Sequence, residues 1–106
     1  MKLNDYQIQA NETAIYPKGL NYPILGLAGE AGEICNKYKK IIRDKSGEVE
    51  VNDLDQLAKE LGDVLWYVAQ IASELGTDLE TVARVNLMKL GDRKNRGVLG
   101  GSGDER

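Results

Sequence analysis

Apolar side chains fall at helical intervals along most of the chain, and no segment alternates apolar and polar residues long enough to make a strand. The clearest stripe is Ile24, Leu27, Ala28, Ala31, Ile34, Cys35, Tyr38, Ile41 and Ile42. A second repeats its spacing at Leu54, Leu57, Ala58, Leu61, Val64, Leu65, Val68, Ile71, Ala72 and Leu75. Steps of three and one residue, sustained over several turns, predict two long amphipathic helices. Leu3, Tyr6, Ala10 and Ala14 predict a helix before them, from about Lys2 to Tyr16 and stopped by Pro17-Lys18-Gly19. Leu79, Val82, Ala83, Leu87 and Leu90 predict one after them, running to about Asn95.

The punctuation agrees. Asn21-Tyr22-Pro23 reads as a cap followed by proline in the first turn, and the polar run Arg43 to Asn52 holds Lys45-Ser46-Gly47 as a turn. Gly76 ends the third helix, and Thr77-Asp78-Leu79-Glu80 reads as a Thr-x-x-Glu capping box. Four helices with short connections predict an all-α fold, a four-helix bundle forming one domain over residues 1–96. Residues 97–106 carry four glycines, with only Val98 and Leu99 apolar, which predicts a disordered, flexible tail.

The two long stripes also carry nearly the same acidic octapeptide, thirty residues apart: Leu27-Ala28-Gly29-Glu30-Ala31-Gly32-Glu33-Ile34 and Leu57-Ala58-Lys59-Glu60-Leu61-Gly62-Asp63-Val64. With the centre of each stripe as zero, Glu30 and Glu60 lie roughly 85° to one side, and Glu33 and Asp63 roughly 145°. An antiparallel helix pair in this register gathers four carboxylates at one margin of the shared seam. Acids on a helix flank are ordinarily solvated surface, but the matched register argues for a joint purpose. Collecting such charges in partly desolvated surroundings costs several kcal/mol unless they are neutralised. A hard divalent cation fits best, because every candidate ligand is an oxygen. Mg²⁺, or Mn²⁺, held by carboxylates together with a substrate's phosphates is the usual arrangement.

Composition removes the competing chemistries. The chain has 106 residues, a net charge of −3, no histidine and one cysteine. Without histidine there is no imidazole base, no His-based triad and no Glu-x-x-His di-iron site. No GxxxxGK[ST] loop is present. Mixed charges without a basic face argue against a nucleic-acid polymer as partner. No apolar run is long enough for a membrane span or a secretory leader, so a soluble, cytoplasmic protein is expected. Cys35, inside an apolar stripe, is expected to be a buried small hydrophobe rather than a reactive thiol. So small a core also makes association between subunits a reasonable expectation.

Several further residues look chemical. Asn86 and Arg93 fall inside the last stripe and Lys89 on its edge, on consecutive turns better suited to oxygen-rich anions than to the alternative for Asn86, a buried Asn that only fixes helix register. Lys37, one turn beyond Glu33, has three open roles: neutralising the acids, touching a phosphate, or pairing with Glu33 at i, i+4. Tyr67 projects close to Glu60. Trp66 lies on the far, otherwise polar face, which favours a subunit interface over a base-stacking platform.

Glu30-x-x-Glu33, a 26-residue gap and Glu60-x-x-Asp63 resemble the ExxE–ExxD signature of the all-α nucleoside triphosphate pyrophosphohydrolases, specifically the MazG-like family. The flanks Leu25–Glu33 and Lys59–Tyr67, and Asn86-x-x-Lys89-Leu90-x-x-Arg93 downstream, are similar to its core helices, so that the match spans about Tyr16 to Arg96. The resemblance implies the all-α NTP pyrophosphatase type of bundle, a homodimer or homotetramer, and Mg²⁺-dependent hydrolysis of nucleoside, expectedly deoxynucleoside, triphosphates to monophosphate and pyrophosphate. Such an activity cleans unwanted nucleotides from the pool. Carried over by position, Glu30, Glu33, Glu60 and Asp63 ligate the metal, and Lys89, Arg93 and Lys37 bind phosphates. Asn86 contacts the nucleotide, with Tyr67 beside it. Glu33, then Glu30, is the expected general base. The chain departs from the tandem members in being one short domain, with Gly29 rather than an extra acid before Glu30. Rival readings are a dUTPase-like, dCTPase-like or phosphoribosyl-ATP pyrophosphatase form, and a non-catalytic metal-binding, oligomerisation or regulatory module.

Overall fold

The two long stripes become the two long helices. In the computed structural model, which describes residues 1–106, the chain runs α1 (Leu3–Asn11), α2 (Asn21–Lys45), α3 (Val51–Glu74) and α4 (Leu79–Asn95), with no strand. α2 and α3 form an antiparallel hairpin. α1 and the first turn of α4 pack on the far end of α3, around Ala10, Ala69, Ala72 and Leu79, with Tyr6, Trp66 and Val68 against them.

Local hydrogen bonding moves four of the expected boundaries. α1 stops at Asn11 rather than near Tyr16, because the Thr13 hydroxyl donates to the Ala10 carbonyl (2.7 Å) and the next amides turn back three residues instead of four. The α2–α3 loop shrinks to residues 46–50. Ser46 (φ 55°) and Gly47 (φ 82°) take left-handed conformations there, and the Gly47 amide reaches the Ile41 carbonyl. Asp53 accepts the Glu50 amide at 3.0 Å and so starts α3 earlier than the apolar stripe indicates. The cap of α4 is Asp78, which accepts from the Thr81 amide at 2.8 Å, and not Thr77. Gln7, buried on α1, ties this junction together: its amide nitrogen donates to Ser73 Oγ and Thr77 O, and its oxygen accepts the Leu79 amide at 2.7 Å. Nothing in the apolar pattern marks Gln7 for that position.

The seam between α2 and α3 is rotated from the centres of their apolar stripes. Leu27, Glu30, Ile34, Lys37 and Ile41 on α2 face Gln56, Leu57, Glu60, Val64 and Tyr67 on α3, all buried or half-buried. The other halves of the stripes are left outward: Ile24, Ala28, Ala31, Cys35, Tyr38 and Ile42 on α2, and Leu54, Ala58, Leu61 (60% exposed) and Leu65 on α3. Cys35 is therefore exposed, not buried as expected, because α3 covers only one edge of a stripe wider than a single neighbour can cover. α4 beyond its first turn is likewise open, with Leu87 at 68% and Met88 at 67% exposure. The accessible surface is 7669 Å², against about 5,900 Å² for a compact chain of this mass. The radius of gyration is 16.8 Å, against about 13 Å.

Residues 97–106 do not trail away as a disordered tail. They fold back on α4 as a series of turns. Arg106 donates to the carbonyls of Val98, Leu99 and Gly103, and the Asp104 carboxylate accepts from Lys89 (2.8 Å) and Arg93 (3.0 Å).

Candidate active site

Rotation of the seam draws the acids inward. Carboxylate oxygens of Glu30, Glu60 and Asp63 lie within 4.8 Å of one another, Glu30 and Glu60 half-buried and Asp63 exposed. The sequence placed Glu30 and Glu60 at the margin of the core; they lie in the helix contact itself. Glu33 is exposed and stands outside this trio, so three of the four expected ligands converge. The matched octapeptides are thus unequal, one giving a single acid and the other both. The cluster carries its electrostatic cost visibly. Burial, then the charges of Asp63 and Glu60, hold the Glu30 carboxyl above its usual range. Three clustered oxygens with no softer ligand nearby suit a hard cation.

Lys37 provides the positive charge already present. Its Nζ lies 2.8 Å from Glu60 Oε1 and 3.4 Å from Gln56 Oε1, so it reaches across to α3 and does not pair with Glu33 along its own helix. Of its three open roles, the structure shows it neutralising the acids.

On the other side of the acids, toward the α1 end, the wall is aromatic. Thr13, Glu30, Asp63, Trp66 and Tyr67 line a cleft of about 350 Å³. Trp66 packs edge-on against Tyr67 (ring centroids 5.0 Å apart) and Tyr16 (6.2 Å), and its Nε1 donates to Thr13 Oγ1 at 2.8 Å. The expectation of an outward interface for Trp66 is corrected by this cover: the segment after α1 crosses its face. The Tyr67 ring lies so close to the α2 backbone that a Cβ at Gly26 would overlap it. Burial, then Tyr22 and the charges of Glu30 and Asp63, raises the Tyr67 pKa.

The cations of α4 stand apart. Asn86 is exposed rather than facing a bundle interior. Arg93 is buried (5% exposed), but beneath the folded-back tail, where it and Lys89 share Asp104. α4 packs on α1 and α3 and not on α2. The downstream Asn/Lys/Arg set and the acidic trio are therefore not joined within one chain.

The hairpin and its acids lie within a span that matches a known protein family. The MazG nucleotide pyrophosphohydrolase domain matches residues 21–98, which span α2, α3 and α4. The chain belongs to the MazG nucleotide pyrophosphohydrolase family. It is also 54% identical over 114 residues to the Gene 37 protein of Mycobacterium phage L5, with both chains covered completely. No solved structure gives a significant match. Within the MazG domain the matched span contains the acids, Lys37 and Tyr67, whereas Thr13 and Tyr16, which brace the aromatic wall, precede it. No helix of the chain is long and apolar enough to cross a membrane.

Proposed function

We propose that the chain hydrolyses nucleoside triphosphates, with deoxynucleoside triphosphates the expected class, to monophosphate and pyrophosphate in nucleotide-pool cleaning. The observation that carries this reading is the Glu30–Glu60–Asp63 trio set between an aromatic cleft and a lysine. Glu30, Glu60 and Asp63 would hold Mg²⁺, or Mn²⁺ in its place, which supplies charge neutralisation at the α-phosphate and a more acidic water. Tyr67 and Trp66, set edge to face beside the acids, offer aromatic surface to the base. Glu33, outside the trio, is the carboxylate left to take a proton, with Glu30 second. In the step proposed, the water oxygen bonds to the α-phosphorus, its proton passes to the carboxylate, and the α–β bridging bond breaks. Its electron pair leaves with pyrophosphate. Lys89, Arg93 and Asn86 would join such a site only through another copy of the chain.

Another copy is also what the uncovered apolar lines of α2, α3 and α4 fit. The surface excess over a compact chain, on the order of 1,800 Å² per copy, reaches the scale of a permanent interface when two copies are counted. We read the protein as a homodimer or homotetramer, to be checked by light scattering, with Leu61→Glu expected to lower the assembly state. The activity test is a panel of standard and modified NTPs and dNTPs with Mg²⁺ or EDTA, reading pyrophosphate against orthophosphate. Orthophosphate alone would overturn attack at the α-phosphorus. No Mg²⁺-dependent product at all would leave a non-catalytic module.

A further inference from the structure

At the loop end of the α2–α3 hairpin, next to the acids, a cleft of about 220 Å³ is lined by Lys37, Lys40 and Lys45, with Asp44, Asp53 and Gln56. Its carboxylates are already committed. Asp53 accepts from Lys45 Nζ at 2.9 Å and from the Glu50 amide, and Asp44 is gripped by Arg43 at 2.7 and 2.9 Å. Lys40 pairs with no carboxylate. Lys37 stands at the threshold, on Glu60 at 2.8 Å, one helical turn before Lys40. The cleft therefore offers one free ammonium and a second whose only carboxylate partner is Glu60, the acid that a cation would neutralise, with the neutral Gln56 amide at 3.4 Å.

The order along the seam is aromatic wall, acidic trio, lysine cleft. A nucleoside triphosphate has the same order: base, α-phosphate, terminal phosphates. We propose that the lysine cleft is the subsite for the β- and γ-phosphates and for the pyrophosphate that leaves, received by Lys40 and by Lys37 once Glu60 is otherwise neutralised. This rests on the hydrolytic reading above and adds a polarity to it: the base points to the α1 end, the leaving group to the α2–α3 loop. It also assigns the receiving cations to α2, whereas the resemblance assigns them chiefly to Lys89 and Arg93 on α4. Negative charge grows on the β-phosphate as the α–β bond breaks, and an ammonium there favours departure.

Calorimetry with inorganic pyrophosphate and Mg²⁺ tests the assignment without turnover. Lys40→Ala is expected to weaken pyrophosphate binding about tenfold, the scale of one lost charged hydrogen bond, with Lys40→Arg restoring it and nucleoside monophosphate binding unchanged. The thermal unfolding midpoint of Lys40→Ala should match that of the parent, since Lys40 is exposed and unpaired. Parent-like pyrophosphate binding in Lys40→Ala, or a loss seen only in Lys89→Ala, would overturn the proposal. Failure of the hydrolytic reading looks different: the parent then releases no pyrophosphate from any nucleotide, whatever the calorimetry gives.

Discussion

The two ends of the seam are built in opposite ways. The lysine end is made inside one hairpin, by contacts between residues 8 to 23 apart such as Lys45 with Asp53 and Lys37 with Glu60. The aromatic end is made by remote segments: Thr13 meets Trp66, 53 residues away, and the Tyr16 hydroxyl donates to Glu74, 58 residues away. One end needs only α2 and α3 to be paired; the other needs the α1 region to be laid across α3 as well. Disturbing the α1 region should therefore loosen base recognition and leave phosphate recognition intact.

Glu60→Gln strikes the point the two ends share and should have the largest effect. It removes a trio carboxylate and the Lys37 partner together, and a fall in kcat/KM of about 10²–10³ is expected in steady-state pyrophosphate release. Parent-like rates in this variant would remove the trio from the chemistry. Gly26→Ala separates the ends. The added methyl displaces the Tyr67 ring, and KM for the nucleotide should rise about tenfold, the value of one stacked base. Pyrophosphate affinity should stay put, and an equal loss of both would mean that the ends are not separable. Thr13→Val leaves the Trp66 indole without its acceptor and should cost about 1 kcal/mol, lowering the melting temperature by about 4–8 °C. Its effect on Lys40-dependent binding should be nil.

The smallest effect is a matter of pH. Because the Glu30 carboxyl is held above its ordinary value of 4.5, the folded chain binds that proton more tightly than the unfolded chain does. Its contribution is most favourable below that value and is lost as pH rises through the raised one. Melting of the metal-free protein from pH 4.5 to neutrality should thus fall more steeply in the parent than in Glu30→Gln. Parallel curves would show that the clustered charge costs nothing.

The same division explains what the sequence disclosed. Both long helices and the paired acids follow from helical register, a local property. Register alone offers Lys37 a partner in Glu33 on its own helix and not Glu60 across the hairpin, so its role stays open in the sequence. The errors arose where register alone cannot say which neighbour covers a face. A stripe centre marks the mean of all apolar burial, yet α3 covers only one edge of the α2 stripe, so Glu30 moved inward and Cys35 outward. Trp66 looked outward because its helix face is polar, and its cover is a segment with no periodicity of its own. Asp104 gave no signal, since a carboxylate among glycines reads as solvent-exposed until the chain turns back on Lys89 and Arg93. Glu50-x-x-Asp53 carries a helix-start signal in its polar residues, ahead of the first apolar position of the stripe at Leu54.

Cys35 is the only thiol in the chain, and it sits on the outward apolar line of α2. That line is therefore a clock as well as a surface. Alkylation of dilute protein should run to one adduct per chain at the rate of an open thiol. As the protein is concentrated the rate should fall, and the concentration at half the starting rate measures the closing of that face on another copy.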